Sequence, residues 1–227
     1  MLSSFVSPPF IISILVAISV HEAAHGWMAA RLGDPTAYNA GRLTLNPLAH
    51  IDLMGALMFL VVGFGWAKPV PVNPMYFHRP KRDTALVSLA GPASNLLLGS
   101  IAFFGLLFML RDQMSGSVFG LLTIGSGQSV LQQLLLQILG SSAFINFGLM
   151  AFNLLPIAPL DGSKILHIFI PLQYEDQYET LLQRGPMILL ILILAGVFLH
   201  VPILSTWVFG IVNFTMQALL FIASPLL

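Results

Sequence analysis

Apolar residues fill this chain in long blocks, and the polar positions gather into a few connections between them. A helix that crosses a bilayer needs about 20 predominantly apolar residues. Residues 8–30 meet that length if the embedded "HEAAH" is tolerated. Pro8 and Pro9 suit a helix start, and Gly33-Asp34-Pro35 ends the run. Residues 84–110 and 131–157 make two further spans. Residues 186–224 are nearly all apolar over 39 positions and read as one span plus a second apolar helix, broken near His200-Val201-Pro202. The stretch 53–66, "LMGALMFLVVGFGW", is short for a span and reads as a re-entrant or interfacial piece; the prolines of "WAKPVPVNP" predict extended chain after it. No internal repeat, low-complexity segment or soluble domain interrupts the pattern. The expected fold is an all-α polytopic membrane protein, one domain over 1–227. Its core is three spans (8–30, 84–110, 131–157), followed by one or two C-terminal apolar helices within 186–224.

Composition agrees. The chain is 57% hydrophobic and 8% charged, against about 25% charged in a soluble domain. Its net charge is zero, which gives no pointer to nucleic acid. With no cysteine, neither disulfides nor thiolate metal sites are available, so any metal must be held by His, Asp or Glu. "MLSSFVSPPF" lacks the basic region of a cleaved signal peptide, so the first apolar segment is expected to stay in the mature protein. Eight Lys and Arg residues fall in 31–83 and 158–185, while Arg111 alone falls in the 111–130 connection. Basic loops stay inside, so 31–83 is expected in the cytoplasm and the N-terminus outside.

The candidate chemistry is inside the first span. In "SVHEAAHGWMAARLG" His21 and His25 are at i and i+4, so both imidazoles lie on one helix face and can reach one ion. Glu22 can then reach a water at that ion rather than the ion itself. This is the arrangement of metal-assisted hydrolysis, in which zinc acidifies a water and a carboxylate takes its proton. A chance match is the other reading, but an ionisable group within a span costs several kcal/mol and must be compensated. Two histidines leave catalytic zinc one protein ligand short. The best candidate for the third is Asp161 in "NLLPIAPLDGSK", where Pro156 and Pro159 must interrupt the helix. Broken backbone at membrane depth is tolerated where it lines a polar cavity. His25 lies roughly 9 Å before the cytoplasmic end of its span, a depth that matches Asp161. The other role open to Asp161 is capping the next helix at Gly162-Ser163.

At these residues the sequence resembles the site-2 protease family of intramembrane zinc metalloproteases. The resemblance rests on His21-Glu22-Ala23-Ala24-His25, on Asn153 through Pro156 to Asp161-Gly162, and on "SLAGPASN", where a Gly-Pro precedes Asn95. It covers roughly residues 5–170. It implies one Zn2+ per chain held by His21, His25 and Asp161, with Glu22 as general base and Asn95 near the metal helping to hold substrate. It further implies that "GWAKPVPVNP" belongs to a membrane-associated hairpin that pairs with an extended substrate by strand addition. The implied partners are the lipid bilayer and membrane proteins with a spanning helix, and the implied setting is a bacterial or archaeal cell membrane. The 111–130 connection has no room for a PDZ domain, which makes this a compact form.

Other residues are open to more than one role. Asn95 could equally be an interhelical partner, since Ser88, Ala90, Gly91, Ala93 and Ser94 around it suit close helix packing. Asn153 is either a partner of the ligand set or a helix contact. His50, His78, His167 and His200 lack ligand spacing and are expected at the surface or in local caps. "HRPKR" at 78–82 is expected against anionic head groups. "GSVFG" at 116–120 fits a helix-dimer pattern but lies outside a span. Two further functions compete with the protease: a membrane metal carrier, which does not need Glu22, and a catalytically silent binding partner, against which the intact ligands and base argue.

Overall fold

In the computed structural model, which describes residues 7–62, 65–114 and 129–224, each long apolar block forms a helix. α1 is Pro8–Arg31. Two single-turn helices, α2 (Thr36–Asn39) and α3 (Pro47–His50), precede the ten-residue α4 (Leu53–Val62). α5 runs over Pro80–Met114 and α6 over Val130–Asn153. A short α7 (Asp161–His167) leads into α8 (Glu175–Phe198) and α9 (Ile203–Ala223). The five long helices α1, α5, α6, α8 and α9 are each long and apolar enough to cross a membrane, which makes this a multi-pass membrane protein. The first six residues, "GSVFG" and most of the 111–130 connection lie outside the described residues.

Helices α1, α5 and α6 pack on one another and form the centre of the molecule. Small residues permit the approach: a Cβ on Gly99 of α5 would sit 2.6 Å from the ring of Phe147, which is fully buried on α6. Phe103, Leu107, Ala143, Phe147 and Ala151 continue this core, and Val212 and Ala223 of α9 close it.

Where element ends differ from the sequence expectation, local chemistry explains the shift. α6 stops at Asn153 rather than 157 because Pro156 cannot extend the hydrogen-bond ladder. Leu155 N–H turns to Phe152 O at 3.1 Å, and Trp207 Nε1–H on α9 donates to Ala151 O at 2.8 Å. α8 starts at Glu175, before the apolar run, with Glu175 and Asp176 suiting the positive end of the helix dipole. The C-terminal block is two helices, separated at His200, whose φ is 54°, and Pro202.

Within the 53–66 stretch residues 53–62 are helical, and the chain then doubles back. α4 rises only about 15 Å, and the chain returns to an antiparallel bridge between Ile51 and Ala67, with Lys68 N–H on His50 O at 2.9 Å. The return needs glycine: a Cβ on Gly55 would lie 2.1 Å from Trp66 O, and one on Gly65 2.3 Å from Gly55 O. The following segment is extended, as its prolines require.

Asp34 holds the far end of that segment. Its carboxylate is fully buried and accepts from Asn73 N–H at 2.7 Å, from Thr36 N–H at 2.9 Å and from the Thr36 hydroxyl. Burial alone would raise its pKa, but these donors outweigh it and hold the group below the ordinary carboxylate value. A depressed pKa contributes stability that is present above the unfolded value, near 4, and is lost as pH falls through the folded one. Asp34→Ala should therefore cost about 1–3 kcal/mol at neutral pH, read as a lower melting temperature in detergent. The gap to wild type should narrow in acid, below pH ~4.

Candidate metal centre

His21 and His25 lie one turn apart on the buried face of α1, with their Nε2 atoms 3.0 Å from each other. Asp161, the first residue of α7, brings Oδ2 to 3.3 Å from His21 Nε2 and 3.2 Å from His25 Nε2. All three residues are buried, and they are the one group of three or more potential ligands that converge among the described residues. Asp161 makes no cap hydrogen bond, since the N-cap position belongs to Leu160.

The outer nitrogens decide what the inner ones can do. His21 Nδ1 faces Asn95 Oδ1 at 2.6 Å, and His25 Nδ1 faces Val87 O at 2.7 Å. Both partners are acceptors, so both Nδ1 atoms carry the proton and both Nε2 atoms present lone pairs. Those lone pairs converge on an Asp161 oxygen that has no hydrogen-bond partner. Three acceptors aimed at one point repel unless a cation lies between them. Tetrahedral zinc with bonds of about 2.0–2.1 Å spaces its donors about 3.3 Å apart, so the donor set fits zinc in chemistry and in spacing.

The Gly-Pro of α5 builds the wall behind the imidazoles. A Cβ on Gly91 would lie 2.4 Å from His25 Nε2 and 2.6 Å from His21 Cε1, so only glycine fits. Pro92, within the helix, has no N–H for Ser88 O, next to Val87 O, which accepts from His25. Asn95 stands one turn past Gly91 on the same face. It is fully buried, and its Nδ2 donates to Asn146 Oδ1 at 2.8 Å and to Ala17 O at 3.3 Å.

Glu22 is half-buried beside His21, and its Oε2 accepts from Val70 N–H at 2.8 Å. Both residues border a cavity of about 880 Å3, near the upper end of the ~300–1,000 Å3 typical of ligand pockets. Its walls are overwhelmingly apolar, drawn from α1, the α4 hairpin, the end of α6 and α8, with Ile14, Phe59, Phe152 and Leu189 among them.

The sequence profile of peptidase family M50 matches residues 9–195. This chain belongs to peptidase family M50. It is 41% identical over 166 residues to YwhC of Bacillus subtilis (strain 168), covering 72% of this chain and 70% of that protein. It is 30% identical over 203 residues to Rip2 of Mycobacterium tuberculosis (strain H37Rv), covering 87% of this chain and 69% of Rip2. A third relative, MJ0611 of Methanocaldococcus jannaschii, is 29% identical over 161 residues, covering 69% of this chain and 70% of that protein. All three carry zinc metalloprotease names of provisional standing. No solved structure matches the chain.

The remaining residues of this M50 chain sort plainly. Asn153 borders the cavity and donates to Leu149 O at 3.0 Å in its own helix. His50 is not at the surface: the returning hairpin buries it, and its Nε2 pairs with Thr44 O at 2.8 Å. His78 and His200 are exposed. His167 pairs with Glu175, which also binds Lys81 at 2.7 Å. Lys81 is therefore committed to Glu175 and to Ile170 O, at 2.7 Å each, rather than free to meet head groups. Two contacts had not been anticipated: that of Asn146, an amide deep in an apolar span, and that of the Val70 N–H. The first left a sequence signal in "SSAFINFGLM", and the second, a backbone group, left none. Gly91→Ala should strip most of the metal, with elemental analysis finding far less than one zinc per chain. Gly148→Ala, where a Cβ meets nothing within 4 Å, should retain the wild-type content.

Proposed function

We propose that this M50 protein is an intramembrane zinc metalloendopeptidase that hydrolyses peptide bonds within membrane-spanning segments of other proteins. The observation that carries the reading is the apolar cavity at whose edge His21 and Glu22 stand. A soluble peptide gains little from such walls, whereas a spanning segment already matches them. His21, His25 and Asp161 hold the metal and Glu22 is the base. Zinc so held supplies Lewis acidity, which lowers the pKa of a water and polarises a peptide carbonyl. Glu22 takes the proton of the attacking water and returns it to the departing amine. Val70 N–H holds one oxygen of that carboxylate and leaves the other for the proton. An amide in an intact helix is shielded, so the scissile segment must be extended locally. The edge of the 66–71 segment receives it by strand addition. Asn95 acts on His21, since its amide is taken up by His21, Ala17 and Asn146.

The orientation follows from the basic residues: 31–83 is cytoplasmic and the N-terminus is outside. The chain has no cysteine, so single ones introduced at exposed Ala40 and Val130 report it directly. They should react with an impermeant reagent from opposite sides, and reaction of position 40 from outside would reverse the assignment.

Glu22→Gln keeps the size and hydrogen-bonding shape of the side chain but cannot accept the proton. The variant should keep its zinc and cleave a membrane-spanning test substrate at least ~100-fold more slowly. Loss of zinc would make Glu22 a ligand. Undiminished cleavage with zinc retained would place the base elsewhere.

A further inference from the structure

We propose that Asn146 is a positioning residue of the metal centre, fixing through Asn95 the tautomer and ring orientation of His21. The inference rests on the reading of His21 as a ligand. Asn146 is fully buried in the middle of α6. Its Nδ2 donates to Ser142 O at 2.8 Å and reaches Ser142 Oγ at 3.3 Å, which turns its Oδ1 toward α5. That oxygen accepts from Asn95 Nδ2 at 2.8 Å, and Asn95 Oδ1 in turn accepts from His21 Nδ1 at 2.6 Å. The chain has one direction. Flipping Asn146 would set its NH2 against the NH2 of Asn95 and its oxygen against Ser142 O.

Flipping Asn95 has the larger consequence. An NH2 facing His21 Nδ1 would favour the tautomer with the proton on Nε2, and a protonated Nε2 cannot bind a metal. The two histidines differ in this respect. His25 Nδ1 is held by a backbone carbonyl, which cannot flip. His21 depends on two side-chain amides, and Ala17 O at 3.3 Å is the other acceptor that holds Asn95 Nδ2. Asn146 thus governs the metal from a distance, touching neither the ligands nor the cavity. A plain helix-packing role for Asn146 would affect stability alone.

Two measurements on the full chain in detergent separate these roles. In the metal-free wild type, 15N spectra of labelled histidine should show His21 with its proton on Nδ1. Zinc affinity by chelator competition should fall about 10–100-fold in Asn146→Leu, the range for loss of an outer-shell partner. Asn146→Asp keeps an acceptor oxygen for Asn95 and should lose less. Phe147→Leu, which thins the same helix contact without touching the amides, should lower the melting temperature and leave zinc affinity unchanged. An Nε2–H tautomer in the wild type overturns the proposal, as does wild-type zinc affinity in a folded Asn146→Leu. If Asn146→Leu fails to fold, the wild-type tautomer and Asn146→Asp decide. A wild type that takes up no zinc would sink the metal-centre reading, and this inference with it.

Discussion

Three lone pairs aimed at one point in an apolar interior are the constraint on which this structure depends. His21 Nε2, His25 Nε2 and Asp161 Oδ2 stand 3.0–3.3 Å from one another, with both imidazole protons committed to the far side. A carboxylate buried among apolar membrane helices is costly, and mutual repulsion adds to that. Helix packing must hold the cluster against this cost, and a divalent cation relieves it. The close approach of α1, α5 and α6 and the seat of Asp161 on α7 follow from that requirement.

The same requirement explains why the backbone is irregular where it is. Pro92 leaves Ser88 O of α5 without its helical donor, next to Val87 O, which receives His25. Pro156 ends α6 so that the chain can turn and start α7 with Asp161 at the cluster. Gly162 lets that start press onto the preceding turn, where a Cβ would lie 2.4 Å from both Leu154 O and Leu155 O. A carbonyl freed by the break is recovered by Trp207 from α9. Each interruption thus serves the site or is repaired by another helix, as non-helical backbone within a membrane protein requires.

How much of this was legible in the sequence depends on whether the cause is local. Helix spacing puts His21 and His25 on one face, and the prolines before Asp161 force the break that frees it, so their convergence could be read from the chain. Gly91 and Asn95 share a face by the same i,i+4 rule, but which helix they face is a tertiary fact. The sequence pointed to a short re-entrant or interfacial piece at 53–66, but the contact of Gly55 with Trp66 O that lets a short helix double back is invisible until the chain returns. His50 went inside for that reason. The direction of the Asn146–Asn95–His21 chain depends on amide orientations, which only the assembled helices set.

The segment after the hairpin shows how pattern and tertiary role combine. Backbone groups of an extended chain point alternately to its two edges. Lys68 N–H goes to His50 O and Val70 N–H, two residues on, goes to Glu22, so this edge is used by the protein itself. Residues 69 and 71 on the opposite edge are prolines and have no N–H to offer. From 69 to 71 that edge carries carbonyl acceptors only, until Asn73 N–H, which Asp34 takes. At Pro69 and Pro71 a partner strand must therefore bring the N–H groups itself. The strand addition proposed for substrate is therefore one-sided: proline in the incoming segment opposite these carbonyls would remove the bond. The segment proposed to receive the substrate is also the one that holds Glu22, so a shift in one would reach the other through a single 2.8 Å hydrogen bond.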